Sequence, residues 1–314
     1  MSAFCTIISP DYLPFVECLR ASISKFIPNV ELHVLVTGAS GLPAEKKPGF
    51  HFYEPRQIQT PQAQAILKKY EGTHDPLRWS LKPAFLQHLL QQHEKMIYVD
   101  CDIFFFADPS FLFGELETAS VILTPHHAAT DPFAYPEKFM MNFLAGLFNA
   151  GFIGVNRSSI KTLEWWSTAC LFRTEIDMAN GFHMDQRYLD LIPVIDPNAR
   201  IVRHRGCNIG SWNMESWKRE QQPDGSVLIN GKYPVVFVHF NYETIRHILN
   251  GDDKNLKPYY EEYENCFSKT GFTLHEFVKD LNTWKQSGFF IDLKRRTTVR
   301  TRIKRWLFGL AKKL

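Results

Sequence analysis

The sequence lacks the cysteine patterns that mark disulfide-rich or zinc-binding domains. Its six cysteines stand at positions 5, 18, 101, 170, 207 and 266. They form no C-x-x-C pair and no cluster with the spacing of metal ligands. We therefore expect free thiols in a reducing compartment.

A long apolar run is also missing. The longest uncharged stretch, residues 139–156, is interrupted by asparagines and glycines and is too short and too polar to predict a membrane span. The first nine residues have neither the basic nor the apolar region of a signal peptide. We therefore expect a cytoplasmic protein that is soluble or peripheral to a membrane.

Acidic residues are missing from residues 294–314, which carry nine Lys or Arg. The rest of the chain holds 27 basic and 33 acidic residues, a net charge of −6, and this acidic body argues against nucleic acid as a partner. Apolar residues recur at helical spacing from Val299 to Leu314. A basic amphipathic helix of this kind is typical of proteins that bind an anionic membrane surface, here the inner face of the membrane. A terminal helix packed on the body is the alternative.

Apolar residues make up 45% of the chain and include 26 Phe, which excludes a disordered protein. Apolar runs at residues 4–8 and 30–36 predict strands, and helical spacing over 13–26 predicts a helix between them. Further helices are predicted over residues 62–70, 83–92, 162–172 and 185–191, and further strands over 96–99, 103–106, 121–124, 152–155 and 235–238. This alternation predicts an α/β fold with a mostly parallel sheet, with a main domain over 1–290 and a tail over 291–314.

The sharpest local signal is an apolar strand that runs into two aspartates, Met96-Ile-Tyr-Val-Asp-Cys-Asp102. On an extended chain Asp100 and Asp102 point the same way, and open α/β sheets bind ligands at the carboxyl ends of their strands. Two adjacent carboxylates repel each other. A divalent cation such as Mg²⁺ or Mn²⁺, bound together with a diphosphate, removes that repulsion. A solvated loop is the alternative interpretation.

A histidine ends a second apolar run, Val235-Val-Phe-Val-His239. An imidazole beside two carboxylates favours Mn²⁺ over Mg²⁺, because nitrogen ligands suit the softer ion. We therefore predict Asp100, Asp102 and His239 as the metal ligands. A purely structural histidine is the alternative.

Two cations, Arg78 and Lys82, precede the helix that is predicted to begin at Pro83. The amino end of a helix attracts anions, so this segment is a candidate phosphate site. Ordinary solvated charges are the alternative.

Two further segments supply polar groups beside predicted strands or helices. Asn149 and Gly151 come just before the strand at 152–155, where an amide can bind hydroxyls and a glycine permits close approach of the backbone; an ordinary turn is the alternative. Asp185 and Gln186 stand at a predicted helix start, where Asp185 serves either in catalysis or as a helix cap.

Together these segments resemble the GT-A fold glycosyltransferases, most closely family 8, which includes bacterial lipopolysaccharide galactosyl- and glucosyltransferases. The likeness runs through most of residues 4–243. The segments that carry it are Ser9-Pro-Asp11-Tyr12, Arg78-Trp79 with Lys82-Pro83, Asp100-Cys101-Asp102, Phe148-Asn149-Ala150-Gly151, Asp185-Gln186, Arg205-Gly-Cys-Asn208 with Trp212-Asn213, and His239.

The resemblance implies a role for each segment. Residues 9–12 match the first loop, which contacts the nucleotide, and residues 78–83 match the donor-site segment. Asp100, Cys101 and Asp102 match the D-x-D motif, 148–151 match F-N-A-G, and Asp185 with Gln186 match the D-Q pair beside the reacting sugar and the acceptor. Asn208 matches a later loop. His239 matches the third metal ligand.

The activity implied by this resemblance is transfer of a sugar from a nucleotide-sugar, in this family a UDP-sugar, with retention of anomeric configuration. A hexosyltransferase-like enzyme of this kind requires Mn²⁺ or Mg²⁺ and acts on a carbohydrate or lipid-linked acceptor.

The sequence departs from the family after the metal histidine. The family often has glycine and then Lys-Pro-Trp, whose lysine touches phosphate, whereas here Arg246 is the available substitute. The segments on the acceptor side, which include residues 126–140 and 250–290, show no likeness to the corresponding segments of the family.

Two other functions stay open. A HAD-like phosphohydrolase also uses a D-x-D at a strand end. It usually carries this motif on its first strand and adds a later acidic pair on another strand. Here the motif comes only at Asp100, and the acidic pair in Gly251-Asp-Asp253 follows a segment with helical character. A non-catalytic protein that binds sugar nucleotides is the second alternative.

Overall fold

The computed structural model describes residues 2–38, 42 and 47–274. Residues up to Thr270 form one compact unit, and the second unit is described only over residues 271–274. The predicted boundary at 290 and the basic tail therefore lie outside the described residues. Within the described ranges, no helix combines the length and the apolar character needed to cross a bilayer.

A seven-stranded sheet forms the centre of this unit. In chain order its strands are β1 (Ser2–Ile8), β2 (Leu32–Val36), β3 (Phe50–Tyr53), β4 (Lys95–Val99), β6 (Val121–Pro125), β7 (Phe148–Asn156) and β10 (Arg200–Ile201). In space the order is β10-β6-β7-β4-β1-β2-β3. Every neighbouring pair is parallel except those of β7, which runs antiparallel to both β4 and β6.

The remaining strands lie outside this sheet. They are β5 (Ile103–Phe105), β8 (Ile176–Asp177), β9 (Phe182–His183), β11 (Arg219–Gln221), β12 (Val227–Ile229), β13 (Tyr233–Pro234) and β14 (Phe237–His239). Strands β5 and β14 pair with each other, β8 pairs with β9, and β11, β12 and β13 form a small antiparallel sheet.

Nine α-helices occur among the described residues. They are α1 (Leu13–Ser24), α2 (Pro61–Lys69), α3 (Asp75–Leu89), α4 (Ser110–Glu115), α5 (Pro136–Leu144), α6 (Ile160–Phe172), α7 (Ile192–Ile195), α8 (Tyr242–Leu249) and α9 (Lys257–Ser268). Short 3₁₀ helices cover Pro10–Tyr12, Pro55–Gln57, Arg157–Ser159, Met178–Asn180, Gln186–Leu191, Ser211–Asn213 and Lys254–Leu256. The α/β class predicted from the alternation of strands and helices is confirmed.

The central strands are buried on both faces, as is usual for parallel strands. All five residues of β2 and six of the seven of β1 are buried, because helices cover both faces of a parallel sheet and leave no face for water. On one face Phe85 of α3, Tyr98 of β4, Ile153 of β7 and Trp166 of α6 belong to a single core cluster.

Helix α3 corrects one prediction. It begins at Asp75, and Pro83 lies inside it instead of at its start. Pro76 already supplies the first-turn proline, so Pro83 only removes one backbone donor, the N–H that would bond the carbonyl of Trp79. Lys82 therefore belongs to the helix interior, and the predicted helix start at Pro83 is wrong. Anion binding by Arg78 and Lys82 stays a prediction.

Strand β7 corrects a second prediction. The segment Phe148–Gly151 was expected to precede a strand at 152–155, but all of it belongs to β7. The strand is longer than expected because its first residue, Phe148, pairs with Pro125 of β6, a partner that local sequence does not reveal; β4 pairs only with Phe152–Asn156.

Two pairings bring the predicted site residues to one edge of the sheet. Strands β1 and β4 are parallel neighbours, so the residues after both lie at the same edge. Strand β14 pairs antiparallel with β5 and sets His239 opposite Ile103, directly after the D-x-D motif. The backbone N–H of Phe240 then donates to the carbonyl of Asp102 at 2.8 Å.

Candidate active site

The two aspartates of the D-x-D motif and His239 meet at the carboxyl edge of the sheet. His239 Nε2 lies 2.9 Å from Asp102 Oδ1 and 3.9 Å from Asp100 Oδ2. One ligand atom from each of the three residues lies within 4.8 Å of the others. This brings together the three side chains that the sequence predicted as metal ligands.

The chemistry of this donor set fits a divalent cation. Two carboxylates and one imidazole are oxygen and nitrogen donors of the kind that bind Mn²⁺. Although burial alone would lower it, the pKa of His239 is raised, because Asp102 and Asp100 stabilise the imidazolium. The same two carboxylates would attract a bound cation.

Gly151 permits these side chains to come so close. A Cβ at this position would lie 2.6 Å from His239 Cε1 and 2.8 Å from Asp100 Oδ2, closer than such atoms can approach. The carbonyl of Gly151 also accepts from the backbone N–H of Asp100 at 2.8 Å. The predicted role of Gly151, close approach of the backbone, therefore applies to the candidate metal ligands themselves.

Asn149 and Asn208 form a buried network behind His239. Asn149 Nδ2 lies 2.8 Å from Asn208 Oδ1 and 3.2 Å from His239 Nδ1. Asn149 Oδ1 accepts from the backbone N–H of Gly151 at 2.7 Å. Asn208 has a positive φ of 61° and donates to the carbonyl of Pro125 at 3.0 Å. These contacts make Asn149 and Asn208 supports for the imidazole.

Trp212 packs against the same imidazole. Its ring centre lies 5.3 Å from that of His239 in an edge-to-face arrangement. Its indole N–H donates to the carbonyl of Asn208 at 3.2 Å. The later loop named by the resemblance thus reaches His239 through both Asn208 and Trp212.

Lys82 and Asp185 form a buried ion pair next to Asp100. Lys82 is 4% exposed and Asp185 1%. Lys82 Nζ lies 3.2 Å from Asp185 Oδ2 and 3.6 Å from Asp100 Oδ1, and it donates to the carbonyl of Ala150 at 3.2 Å. Burial opposes the charge, but the two carboxylates raise the pKa of Lys82, so its ammonium stays protonated.

Asp185 is not a helix cap. No side-chain capping bond joins it to the 3₁₀ helix Gln186–Leu191. Burial raises the pKa of its carboxyl group, and Lys82 partly offsets this. Of the two roles that sequence left open for Asp185, capping is therefore wrong and a role in the site remains.

The side chain of Gln186 forms hydrogen bonds with strand β7 and with the loop that precedes it. Its Oε1 accepts from the backbone N–H of Ala150 at 3.2 Å, and its Nε2 donates to the carbonyl of Ala145 at 2.9 Å. Both ends of the amide are thus engaged by backbone, which fixes Gln186 beside Asp185.

The first loop reaches the same edge through Tyr12. The Tyr12 ring lies 5.7 Å from the guanidinium carbon of Arg78. Burial, with smaller contributions from groups that include Cys101 and Asp102, raises the pKa of Tyr12 to about 12. Arg78 Nη2 also lies 2.9 Å from Asp75 Oδ1.

The remaining predicted donor-binding residues are less closely joined to the cluster. Ser9 accepts from the backbone N–H of Tyr12 at 3.0 Å and closes the 3₁₀ turn, whereas Asp11 is exposed. Cys101 is buried, and burial raises the pKa of its thiol. Arg246, the substitute for the phosphate-binding lysine, pairs on its own helix α8 with Glu243 at 2.7 Å.

Sequence reasoning missed Tyr98. Its hydroxyl donates to Asp100 Oδ1 at 2.7 Å. Together with Lys82, His239 and Arg78, this bond outweighs the effect of burial and lowers the pKa of Asp100. The signal was available, because Tyr98 is two residues before Asp100 and residues two apart on a strand face the same way.

The acidic pair that a phosphohydrolase would need is engaged elsewhere. Asp253 Oδ2 lies 3.1 Å from Arg219 Nε, with both side chains buried, and Asp252 Oδ2 lies 2.8 Å from His247 Nδ1. These two carboxylates therefore have their own partners, separate from the D-x-D motif.

No protein-family model matches the sequence. The chain is 34% identical to the uncharacterized protein YfnF of Bacillus subtilis (strain 168) over 187 residues, which are 56% of this chain and 60% of YfnF. It is 30% identical to the uncharacterized protein YfnD of the same strain over 241 residues, which are 74% of this chain and 72% of YfnD. The chain belongs to the YfnD family. Neither relative's name specifies an activity.

Several solved glycosyltransferases are similar in structure to this YfnD relative. Mouse xyloside xylosyltransferase 1 aligns with a TM-score of 0.49 and 13% identity over 78% of this chain and 99% of that one. Galactosyltransferase LgtC, solved with donor and acceptor sugar analogues, aligns with a TM-score of 0.47 and 14% identity over 76% of this chain and 87% of that one. GlyE of Streptococcus pneumoniae TIGR4 aligns with a TM-score of 0.44 and 15% identity over 77% of this chain and 55% of that one.

These solved structures are glycosyltransferases by name, the class of enzyme that the motifs indicate. At these identities and TM-scores the likeness does not extend to an activity or a substrate of this chain.

Proposed function

We propose that this protein is a metal-dependent glycosyltransferase of the GT-A type, which transfers a sugar from a UDP-sugar to a glycan or glycolipid acceptor. The observation that supports it best is the meeting of Asp100, Asp102 and His239 at the carboxyl edge of an α/β sheet, beside a buried Lys82–Asp185 pair. Open α/β sheets bind their ligands at this edge.

Asp100, Asp102 and His239 are the residues that we propose to hold Mn²⁺ or Mg²⁺, with Mn²⁺ favoured by the imidazole. When bound, the cation offsets the negative charge that develops on the departing nucleotide diphosphate. Asn149, Asn208 and Trp212 keep the His239 ring in place, since all three are within contact of it or of one another.

Lys82 and Asp185 are the residues that we propose to lie beneath the transferred sugar. The ammonium of Lys82 is held between two carboxylates and is already oriented before a substrate arrives, which is the arrangement that makes electrostatic stabilisation effective. As a carboxylate, Asp185 accepts hydrogen bonds from sugar hydroxyls. Gln186, bound to the backbone of Ala150 and Ala145, keeps Asp185 beside the strand.

The donor nucleotide is assigned to the neighbouring loops. In this proposal Ser9, Asp11 and Tyr12 contact the base and Arg78 contacts the phosphates. Arg246 would have to leave Glu243 to join them. Retention of anomeric configuration follows only from the family resemblance and is part of the proposal.

The decisive test is slow hydrolysis of the donor, in which water replaces the unknown acceptor. We expect the purified chain to release UDP from at least one UDP-sugar only when Mn²⁺ or Mg²⁺ is present. Asp102→Asn should reduce this rate by roughly 10³-fold or more, because a bound cation contributes several kcal/mol to the transition state. Asp108→Asn is the matched control at an exposed position six residues away and should keep the rate.

Two results would contradict the proposal. Release of phosphate from a phosphomonoester that depends on Asp100 would instead support a phosphohydrolase. Metal-dependent binding of a UDP-sugar with no turnover under any condition would support a sugar-nucleotide-binding protein.

Attachment to an anionic membrane through residues 294–314 stays a prediction from sequence. Its support is the nine Lys or Arg without an acid in this segment. Co-sedimentation with anionic vesicles, compared between the full chain and a chain ending at residue 293, tests it directly. Equal co-sedimentation of the two chains would contradict it.

A further inference from the structure

A second group of metal-ligating side chains lies near the opposite, amino edge of the sheet. Glu31 precedes β2, His33 belongs to β2 and His51 belongs to β3. One ligand atom from each lies within 4.8 Å of the others. Strands β2 and β3 are parallel with His33 in register with His51, so strand pairing itself sets the two imidazoles side by side.

His33 offers a ring nitrogen that has no protein partner. Its Nδ1 lies 2.8 Å from the Tyr53 hydroxyl, but its Nε2 makes no hydrogen bond although the residue is only 3% exposed. A buried ring nitrogen without a hydrogen-bond partner is an available donor for a metal ion.

A further imidazole, that of His93, packs against this group. It stands in the turn before β4, and its ring centre lies 4.6 Å from that of His33 in an edge-to-face arrangement. Its Nδ1 is also buried without a hydrogen-bond partner. Two buried polar atoms without partners in one cluster are unusual, because each costs about 1–3 kcal/mol when unsatisfied.

The cluster is open to solvent on one side. Glu31 and His51 are exposed, and His51 Nε2 lies 3.6 Å from Glu31 Oε1. An ion can therefore reach the buried Nε2 of His33 past these two side chains. Both can also move toward the ion at little cost, since exposed side chains pack against few neighbours.

We propose that Glu31, His33 and His51, completed by His93, form a second metal site, distinct from the D-x-D site and suited to Zn²⁺. Imidazole nitrogens with one carboxylate are the donors that zinc binds in tetrahedral sites, whereas Mg²⁺ and Ca²⁺ require oxygen ligands. Ligand atoms of a tetrahedral zinc ion lie roughly 3.3 Å apart, so the side chains must draw together from their present spacing. The ion would link β2, β3 and the turn before β4.

The test measures Zn²⁺ binding to the full chain carrying Asp102→Asn, which impairs the D-x-D site. After treatment with a chelator, Zn²⁺ alone should still bind tightly and raise the Tm. Adding His51→Gln or Glu31→Gln should weaken Zn²⁺ binding at least about tenfold, because each removes a ligand. Both residues are exposed, so neither change threatens folding. Adding His74→Gln, an exposed histidine outside the cluster, is the matched control and should leave binding unchanged.

Co²⁺ gives a second readout that a loss of stability would not imitate. Bound in place of Zn²⁺, it should produce the absorption bands of a tetrahedral site in Asp102→Asn and not in Asp102→Asn with His51→Gln. The proposal would be overturned if Asp102→Asn bound no Zn²⁺, or if His51→Gln, Glu31→Gln and His74→Gln all bound it equally well.

Discussion

His239 at the carboxyl edge of the sheet and His33 near the amino edge are buried to a similar extent, with 6% and 3% of their surface exposed. Burial acts to lower the pKa of both. Near His239 the carboxylates of Asp102 and Asp100 outweigh burial and raise the pKa. Near His33 burial acts together with neighbouring imidazoles, and the pKa falls to about 3. For two histidines buried to a similar extent, the neighbouring charges therefore decide whether the pKa rises or falls.

The same difference separates the chemistry of the two edges. The carboxyl edge combines negative charge with a buried ammonium, as expected for a site that receives a cation and a diphosphate. The amino edge presents imidazole nitrogens, and Glu31 supplies the carboxylate of that group. The two edges thus offer a metal ion different donors, mostly carboxylate oxygens at the carboxyl edge and mostly imidazole nitrogens at the amino edge.

The largest expected effect comes from removing the buried cation of the carboxyl edge. Lys82→Met leaves the carboxylates of Asp185 and Asp100 without their partner, and we expect the free energy of unfolding at pH 7 to fall by about 3–5 kcal/mol. Replacing a neutral group at the other edge, His33→Gln, should cost only about 1–2 kcal/mol, since no charge is left unpaired. Denaturant unfolding in the presence of a chelator measures both.

Two controls accompany this pair. Lys218→Met removes an exposed lysine and should have almost no effect. Adding Asp185→Asn to Lys82→Met should restore part of the lost stability. If Lys82→Met and His33→Gln lowered the free energy of unfolding equally, the expected effect of leaving buried charges unpaired would be contradicted.

A smaller effect is expected from a methyl group placed at the contact between His239 and Asp100. Gly151→Ala would put a Cβ within 2.6 Å of the His239 ring, so the imidazole or Asp100 must shift. We expect Mn²⁺ affinity to fall at least about tenfold, with a loss of stability of about 1–3 kcal/mol. Calorimetric titration of Mn²⁺ measures the first.

Gly154→Ala on the same strand is the matched control. Its Cβ would meet the side chain of Ile122 at 2.5 Å, away from the site. It should reduce stability by a similar amount and leave Mn²⁺ affinity intact. A parallel loss of Mn²⁺ affinity in both variants would mean that Gly151 acts through stability alone.

The effect that is smallest at pH 7, and that grows as the pH falls, concerns a third histidine, His126, which follows β6 at the same edge as His239. Burial, with weaker contributions from His183, His239 and His127 and an opposing bond to the carbonyl of Gly146, lowers the pKa of His126 to about 3. An unfolded histidine titrates near about 6.5. Its contribution to stability is therefore complete above pH 6.5 and is lost as the pH falls toward 3.

We expect His126→Gln to flatten this part of the stability profile, by at most about 1.4 kcal/mol per pH unit. Unfolding measured at several pH values between 4 and 7 tests it, with His74→Gln as the exposed control. An unchanged slope in His126→Gln would show that His126 takes up its proton in the folded state, as neighbouring charge would require.

Local sequence predicted the parts of the site that depend on contiguous residues. Asp100 and Asp102 follow an apolar strand and His239 ends another, because both patterns need only a few neighbouring residues to be recognised. The contact between them was not visible locally. It depends on the pairing of β14 with β5, which joins segments more than one hundred residues apart.

Lys82 was identified as a candidate site residue from the sequence, but its position in the secondary structure was predicted wrongly. Its position beside a proline suggested a helix start, since proline is common there. Pro76 serves that purpose instead, and the helix continues through Pro83. Only the packing of α3 against the sheet reveals that the Lys82 ammonium lies between Asp185 and Asp100.

By itself, the sequence determined the α/β class, the D-x-D at a strand end and the resemblance to GT-A glycosyltransferases, because periodicity and short motifs are local properties of a chain. Only the tertiary structure decided which charges surround each buried histidine. His33, His51 and His93 show no motif spacing, and they meet because strand register and the turn before β4 bring them together. Electrostatic environment is a property of neighbours in space, and those neighbours come from distant parts of the sequence.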